Sequence, residues 1–193
     1  ALITFPVHPR QVIQTAYRPQ LLSSPTEKLE LLETMQVDYC FLLPFTQELS
    51  LFSAREFMQL LRNKFNIHTL VIGYDHRFGH NRSEGFDDYV RYGQELGIKV
   101  ILARAYINKE TTVSSSVIRQ LLLEGNVSEA ADCLGYDYFL NGSVVSGYRV
   151  GRKIGFPTAN LRVDDPDKLV PSDGVYAVRV IVAGQTYGGM LSI

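Results

Sequence analysis

The stretch that decides the fold runs from Thr69 to Ala103 and reads TLVIGYDHRFGHNRSEGFDDYVRYGQELGIKVILA. Its first five residues, Thr69–Gly73, are mostly apolar and predict a strand. A helix is predicted over Phe86–Leu96, because Gly97 follows as a helix-ending residue. Lys99–Ala103 is a second apolar strand. Uniformly apolar strands that are separated by a helix predict a parallel sheet with both faces covered.

The same alternation of strands and helices extends in both directions along the chain. Strands are predicted at Ala1–Phe5 and Tyr39–Pro44. Serine three residues before glutamate forms a capping box at a helix start, and two such boxes begin helices to about Met35 and Phe65; they are Ser24–Glu27 and Ser53–Glu56. Glycines follow two more predicted helices, Ser116–Glu124 and Val127–Leu134, and Asn126 with Glu129 predicts a third cap.

The pattern changes after Asp137. Tyr138–Ser146 is strand-like, and two later β-rich segments, Gly174–Val182 and Gln185–Ile193, are separated only by Ala183-Gly184. This spacing predicts a tight hairpin. The sequence therefore predicts an α/β domain over residues 1–136 and a small antiparallel β-barrel domain over residues 137–193.

Composition limits the classes of function. The 193 residues are 46% hydrophobic and 20% charged, which predicts a packed core. A net charge of −1 gives no broad basic surface, so nucleic acid is not an expected partner. The apolar runs are too short to span a membrane. Cys40 and Cys133 lack metal-ligand spacing and are expected to be buried free thiols, which favours the cytoplasm.

The first candidate site follows the strand that ends at Gly73. Ligands of open α/β sheets bind at the carboxyl ends of strands, so Asp75 is a candidate to contact a ring edge, a ribose or a metal, and Phe78 is a candidate to line a flat aromatic ligand. An ordinary glycine-rich connection with a solvated carboxylate is the alternative. His76 and His80 have helical spacing in a segment that is not helical, so they are weak candidates for metal ligands.

The second candidate site is the hydroxyl-rich start of a helix, Thr111–Arg119. Helix N-termini bind anions through free backbone N–H groups, and Ser115 and Ser116 can add hydroxyl donors. Arg119 lies about one turn further along the helix and can grip a phosphate with two hydrogen bonds. A single capping serine would explain only one of the three serines at 114–116.

The third candidate site is a loop that combines glycines with cations, Gly147 to Gly155, followed by Phe156-Pro157-Thr158-Ala159-Asn160. Main-chain amides and the side chains of Arg149, Arg152 and Lys153 suit a polyphosphate. Thr158 and Asn160 point to the same side of an extended strand, where their oxygens can provide part of a Mg²⁺ shell. A solvated glycine hairpin is the alternative. His8 can contact a phosphate or serve as a structural turn residue.

These motifs resemble a known family. Gly151 to Leu161 is similar to the signature of riboflavin kinases, above all in Gly155-Phe156-Pro157-Thr158-Ala159-Asn160. The combination of Thr4-Phe5 and His8-Pro9, Gly73 to Gly79, and Ser114 to Arg119 resembles the adenylyltransferase half of prokaryotic bifunctional FAD synthetases. The motifs follow the order of the family along essentially the whole chain.

The resemblance implies a Rossmann-like nucleotidyltransferase followed by a Greek-key flavokinase barrel. It implies Mg²⁺ as the cofactor, held by Thr158 and Asn160, and ATP, riboflavin, FMN and FAD as ligands. Catalytic roles are implied for Asn160, Thr158 and Arg119. ATP binding is implied for Ser115, Ser116, Arg119, Gly151, Arg152, Lys153, Gly155, Pro157 and His8. Flavin binding is implied for Gly73, Asp75, Phe78, Gly174 and Tyr176.

The chain also departs from the family pattern. A glycine- and histidine-containing loop that precedes the family's first motif, and a glutamate general base further along, are expected outside Ala1 and Ile193, so both ends are interpreted as truncated. His76 stands where an aromatic residue is usual in the family.

The resulting hypothesis is an enzyme that phosphorylates riboflavin to FMN and adenylylates FMN to FAD. The alternatives are another nucleotidyltransferase with a β-barrel binding module, and a flavin- or nucleotide-binding fragment without catalysis.

Overall fold

The computed structural model describes residues 1–14, 16–80, 82–108, 111–148, 150–153 and 155–193. Arg149 and Ile154, two residues of the predicted phosphate loop, lie outside the described residues. The chain divides into two compact units. The first unit contains Ala1–Arg18 and Leu32–Thr112, and the second contains Pro19–Leu31 and Val113–Ile193.

Within the described residues, the strands pair two by two. Their bounds are β1 Leu2–Thr4, β2 Cys40–Leu42, β3 Thr69–Ile72, β4 Lys99–Leu102, β5 Ile107–Asn108, β6 Thr111–Thr112, β7 Gly142–Val145, β8 Asn160–Val163, β9 Val175–Val182 and β10 Gln185–Ser192. The pairs β1–β2 and β3–β4 are parallel, whereas β5–β6, β7–β8 and β9–β10 are antiparallel.

The helices of the described residues include the long ones that the sequence predicts and three short ones that it does not. Their bounds are α1 Pro9–Ile13, α2 Pro25–Thr34, α3 Gln47–Ser50, α4 Ala54–Phe65, α5 Phe86–Leu96, α6 Ser115–Leu123, α7 Val127–Leu134 and α8 Val150–Lys153. Periodicity does not reveal α1, α3 and α8, because each has only four or five residues.

Local capping explains where the predicted helices begin. The Ser53 hydroxyl accepts a hydrogen bond from the Glu56 N–H, and the Glu56 carboxylate accepts one from the Ser53 N–H at 2.8 Å. Ser24 and Glu27 exchange the same pair of hydrogen bonds. Both capping boxes are therefore confirmed. Asn126 is the N-cap residue of α7, as predicted, but its side chain makes no capping hydrogen bond, and its amide N–H donates to Glu124.

The core of the first unit lies between α4, α5 and the β3–β4 pair. It consists of Ala54, Met58, Ile72, Tyr89 and Ile98. The predicted parallel pairing of β3 and β4 is confirmed. The expected burial of both strand faces is wrong for β3, because Val71 is 61% exposed while Ile72 is 4% exposed. Successive side chains point to opposite faces of a strand, and only the Ile72 face packs on this core.

A glycine sets the distance between α5 and β4. A Cβ atom added to Gly93 would lie 2.5 Å from the Ile98 carbonyl oxygen and 2.7 Å from Cγ2 of Val100. The carbonyl belongs to the backbone and cannot rotate away. Gly93 therefore allows the helix to pack directly on the strand.

Replacing Gly93 with alanine is expected to lower the free energy of unfolding by about 1–3 kcal/mol, the usual cost of overpacking a core. Urea denaturation would show this as a lower midpoint with an unchanged slope. Gly188→Ala is the matched control, because its added Cβ would meet nothing within 4 Å. Equal midpoints for the two variants would contradict the packing argument.

The second unit has its own core and a buried ion pair. Ile118, Leu122, Ala130 and Leu169 form the apolar cluster. Beside it, Lys168 Nζ lies 2.7 Å from the Glu27 carboxylate, and the two side chains are 1% and 2% exposed.

The β-rich part of the second unit differs from the predicted barrel. β9 and β10 form the predicted hairpin, and its turn residues Ala183 and Gly184 have φ values of 49° and 78°, as a type I′ turn requires. β7 and β8 form a separate ribbon. Over the described residues there is no closed barrel, because two two-stranded ribbons that do not hydrogen-bond to each other leave open edges.

Candidate functional site

The β7–β8 ribbon carries a cavity at one end. Asn160 opens β8 opposite Val145, the last residue of β7. The cavity has a volume of about 220 Å³. Its lining residues are Val144, Val145, Ser146, Gly147, Arg152, Pro157, Thr158, Ala159 and Asn160. The structure thus brings together four residues that the sequence singled out, Arg152, Pro157, Thr158 and Asn160.

Two glycines shape this cavity by allowing close approaches. A Cβ atom at Gly147 would collide with the Asn160 side-chain amide, and one at Gly151 would collide with the Phe156 carbonyl oxygen. The Phe156 N–H in turn donates to the Gly151 carbonyl at 2.8 Å, which closes the loop. Gly155 has a φ of 87°, a conformation that other residues rarely adopt. The glycines therefore set the loop geometry, as well as leaving room for a ligand.

The donor set of the cavity fits a magnesium–polyphosphate ligand. Thr158 and Asn160 offer a hydroxyl and an amide oxygen, and Arg152 offers a permanent positive charge. Mg²⁺ accepts one or two protein oxygens when phosphate and water complete its shell. Among the described residues, no group of three or more His, Cys, Asp and Glu side chains is placed to hold a metal ion. Neutral oxygens are therefore the protein ligands that the described residues can supply here.

Five other residues predicted to bind ATP or flavin in this part of the chain do not line the cavity. Lys153 ends α8, and Gly151 and Gly155 shape the loop. The Tyr176 hydroxyl donates to the Ser172 carbonyl at 2.6 Å, so it serves the local turn. Gly174 exchanges two backbone hydrogen bonds with Ile193 and closes the base of the β9–β10 hairpin.

The serine-rich start of α6 divides its hydroxyls between two tasks. Ser114 is the N-cap, and its side chain accepts a hydrogen bond from the Val117 N–H at 3.3 Å. Ser115 and Ser116 are exposed in the first turn of the helix. One serine is therefore sufficient for capping, and the two that the sequence assigned to ATP are the two that remain accessible. The N-terminus of a nine-residue helix adds free N–H groups that favour anions.

Arg119 follows one turn later on α6. Its Nε donates to the Gln20 carbonyl oxygen at 2.7 Å. This hydrogen bond fixes one edge of the guanidinium group, and the side chain remains partly exposed. A guanidinium group has five N–H donors, so donors remain for a phosphate.

The two candidate residues of the loop after β3 lie in different surroundings, one exposed and one in the core. Asp75 is exposed in a turn that the Gly73 carbonyl closes with the His76 N–H. Phe78 instead packs into the core of the first unit, stacked on Tyr89 with 4.3 Å between ring centroids. The Tyr89 hydroxyl also accepts a hydrogen bond from the Phe78 N–H. Much of the Phe78 ring therefore stabilises the fold.

His80 and His76 of this loop interact with neighbouring residues of the first unit. Nδ1 of the His80 ring lies 3.1 Å from the Ser50 carbonyl oxygen, and the backbone N–H of His80 donates to the Phe52 carbonyl at 2.8 Å. Burial lowers the pKa of His76, and the nearby Arg82 lowers it further. Asp75 opposes both effects, and the net shift is toward a lower pKa, which favours the neutral imidazole.

His8 caps α1. Its ring Nδ1 accepts a hydrogen bond from the Arg10 N–H at 3.2 Å, and its ring lies 5.3 Å from that of Tyr17. The structural role that the sequence left open at His8 is thus present.

Sequence reasoning missed the strand residues that form the other wall of the cavity. Val144, Val145, Ser146 and Gly147 line it from β7 and the segment that follows. Their own residue types carry no chemical signal. Only the antiparallel register, which places Val145 opposite Asn160, could have identified them.

Comparison with known proteins defines the class. Residues 1–117 match the family model described as FAD synthetase, and residues 134–193 match the model described as riboflavin kinase. The chain thus combines a nucleotidyltransferase segment with a riboflavin kinase segment, in that order. It belongs to the FAD synthetase family, and its two segments are those of the bifunctional riboflavin kinase/FMN adenylyltransferases.

Curated relatives agree with this assignment. The bifunctional riboflavin kinase/FMN adenylyltransferase of Listeria monocytogenes is 34% identical over 194 residues, which cover 100% of this chain and 61% of the relative. The protein of that name from Escherichia coli K12 is 31% identical over 95% of this chain and 58% of its own length. The chain therefore spans about three fifths of the length of the curated relatives that it matches.

A solved structure has the same fold. It is described as a macrolide-efflux protein from Streptococcus pneumoniae, and it is 32% identical with a TM-score of 0.88. The match covers 99% of this chain and 62% of that one. None of the helices in the described residues has both the length and the apolar composition to cross a membrane.

Proposed function

We propose that the whole protein makes flavin cofactors in two steps, each at its own polyphosphate site. The observation that carries the proposal is the convergence of Arg152, Thr158 and Asn160 on one cavity, within the segment that matches riboflavin kinases. The exposed Ser115 and Ser116 at the start of α6 support the second site, within the segment that matches FAD synthetases.

In the first step, the 5′-hydroxyl group of riboflavin attacks the γ-phosphate of ATP and ADP leaves. Thr158 and Asn160 would hold Mg²⁺, which when bound neutralises charge on the phosphates. Arg152 and Lys153 supply further positive charge, and the loop that Gly151, Gly155 and Pro157 shape would cover the phosphates. Gly174 and Tyr176 are proposed to border the riboflavin. Positioning and charge neutralisation provide most of the catalysis in such transfers.

In the second step, the phosphate of FMN attacks the α-phosphate of another ATP and pyrophosphate leaves. Ser115, Ser116 and Arg119 are proposed to hold the ATP phosphates. His8 is also proposed to bind ATP. Gly73, Asp75 and Phe78 are proposed to shape the flavin pocket, where the exposed carboxylate of Asp75 is the accessible polar group.

The proposal also covers the boundary between the two domains and the cellular compartment of the protein. We propose that the two catalytic domains divide between residues 136 and 137, with a Rossmann-like nucleotidyltransferase domain before this point and an antiparallel, β-rich riboflavin kinase domain after it. Both cysteines, Cys40 and Cys133, are free thiols, as in proteins of the reducing cytoplasm.

Incubating the whole protein with riboflavin and MgATP, and separating the flavins by chromatography, tests the proposal. FMN is expected first and FAD later. Binding without turnover would favour a non-catalytic flavin-binding protein, and turnover of ATP with a phosphorylated acceptor other than FMN would favour a different nucleotidyltransferase. Absence of both flavin products and of riboflavin fluorescence quenching would overturn the proposal.

A further inference from the structure

The buried ion pair of the second unit lies at the base of the ribbon that carries the cavity. One oxygen of the Glu27 carboxylate accepts the Lys168 ammonium at 2.7 Å and the Ser24 N–H at 2.8 Å. The other oxygen accepts the backbone N–H of Asn141 at 3.2 Å. Asn141 immediately precedes β7, so Glu27 holds the residue from which the ribbon starts.

Lys168 anchors the chain that follows β8, the other strand of the ribbon. It lies five residues beyond the end of β8, and its ammonium group also donates to the Leu22 carbonyl at 2.8 Å. The rings of Tyr138 and Phe139 lie 4.3 and 5.2 Å from this ammonium group. The Asn141 carbonyl accepts a hydrogen bond from the Asp164 N–H at 3.1 Å, which joins the two strands at this end.

The ribbon transmits this anchorage to the cavity. β7 and β8 pair over four residues, from Gly142 opposite Val163 at the anchored end to Val145 opposite Asn160 at the cavity end. Four residues of strand span about 13 Å, a short distance for a hydrogen-bonded ribbon. The direction in which Asn160 and Thr158 face the cavity therefore depends on how the Asn141 end is held.

A buried ion pair is a weak source of stability, because removing two charges from water costs nearly as much as their attraction returns. Its value lies in the geometry that it imposes. Here the carboxylate has its acceptor sites directed at groups from three chain segments, around Ser24, Asn141 and Lys168. An apolar pair of similar volume would fill the space without directing the Asn141 N–H.

We infer that Glu27, which lies in the FAD synthetase segment, is a positioning residue for the riboflavin kinase site through its hydrogen bond to Asn141. The inference rests on the proposed function of that site. It assigns to Glu27 a task that differs from that of Gln20, whose carbonyl holds Arg119, and both residues belong to the same compact unit as residues 113–193.

Two double variants of the whole protein separate positioning from stability. The leucine pair, Glu27→Leu with Lys168→Met, removes both charges and the acceptor for the Asn141 N–H. The glutamine pair, Glu27→Gln with Lys168→Met, also removes both charges but keeps an amide oxygen that can accept that N–H. The leucine pair is expected to lower kcat/KM for riboflavin phosphorylation on the order of tenfold to a hundredfold, as for small displacements of catalytic groups. The glutamine pair is expected to recover most of that loss, and adenylyl transfer is expected to stay unchanged in both.

Controls address folding. Ser24→Ala removes a cap of α2 beside Glu27 and is expected to lower Tm without changing kinase kcat/KM. Glu95→Gln breaks the exposed ion pair with Arg55 and is expected to change neither. If the leucine pair does not fold, Glu27→Asp replaces it, because aspartate keeps the charge but its carboxylate is one methylene further from Asn141.

Amide hydrogen exchange gives a readout that does not depend on activity. Exchange in Gly142–Val145 and Asn160–Val163 is expected to accelerate about tenfold or more in the leucine pair relative to the glutamine pair. Equal exchange and equal kinase kcat/KM in the two pairs would overturn the inference. A wild-type protein without kinase activity would instead overturn the proposed function, and the exchange comparison would still decide whether Glu27 holds the ribbon.

Discussion

Replacing Asn160 with alanine is expected to lower the rate of riboflavin phosphorylation by about 10²–10³ and to leave adenylyl transfer to FMN unchanged. Asn160 lines the cavity at the end of the ribbon, where its amide oxygen is one of the neutral ligands available to Mg²⁺. Removing one preorganised contact to the transferring phosphate leaves charge uncompensated in the transition state. Initial rates of FMN formation from riboflavin, and of FAD formation from supplied FMN, measure the two steps separately.

Three companion variants sharpen this test. Thr158→Ala is expected to act in the same direction, since its hydroxyl lines the same cavity. Asn160→Asp keeps an oxygen ligand and is expected to retain more activity than the alanine variant. Asn63→Ala, an exposed asparagine on α4, is the matched control and should change neither rate. A folded Asn160→Ala protein with wild-type kinase activity would remove Asn160 from the site.

Replacing Arg119 with alanine is expected to produce the opposite pattern, a loss of about 10²–10³ in adenylyl transfer with riboflavin phosphorylation retained. Arg119 lies on α6 one turn beyond the exposed Ser115 and Ser116, and the Gln20 carbonyl fixes its Nε. A guanidinium group held in this way can donate two parallel hydrogen bonds to a phosphate. FAD formation from FMN and MgATP is the measurement.

The chemistry of the guanidinium group can be separated from its charge. Arg119→Lys keeps the charge but loses the planar fork, so an intermediate rate of adenylyl transfer is expected. Arg91→Ala on α5 removes a more exposed arginine and serves as the control. If Arg119→Ala remained folded and lost both activities equally, the assignment of two separate sites would be wrong.

The features that the sequence predicts well are those that depend on near neighbours in the chain. Both serine–glutamate capping boxes join residues three apart, so spacing alone identifies them. The glycine after α5 has a φ of 67°, and the Ala183-Gly184 turn has positive φ at both positions. Gly97 and Gly184 adopt such conformations at no steric cost, whereas the positive φ of Ala183 follows from the two-residue connection between the paired strands.

Features that depend on distant partners are predicted less well. Phe78 fits the composition of a flavin site, yet Tyr89, eleven residues away, stacks on its ring in the core. Periodicity also cannot show which strands pair, so the two separate ribbons could not be distinguished from a barrel.

In the candidate site, too, residues that are close in sequence are predicted well and residues that are distant in sequence are not. The residues Thr158 and Asn160 were identified because hydroxyl and amide at that spacing suggest metal ligation, and the structure places both at one cavity. Glu27 and Lys168 lie 141 positions apart, and the sequence indicates a capping role for Glu27 and no special role for Lys168. Only the fold shows that they meet away from water.

The Glu27–Lys168 contact limits how the gene of such a protein can be divided into two separately encoded domains. A gene divided between codons 136 and 137 would give a carboxyl-terminal product that lacks Glu27, the counter-ion of Lys168, and also lacks Ile118, Leu122 and Ala130, which cluster with Leu169. A lineage that separated the two activities into different polypeptides would therefore have to rebuild both sets of contacts in the kinase polypeptide, or replace Lys168 with a neutral side chain and cover Leu169 in another way.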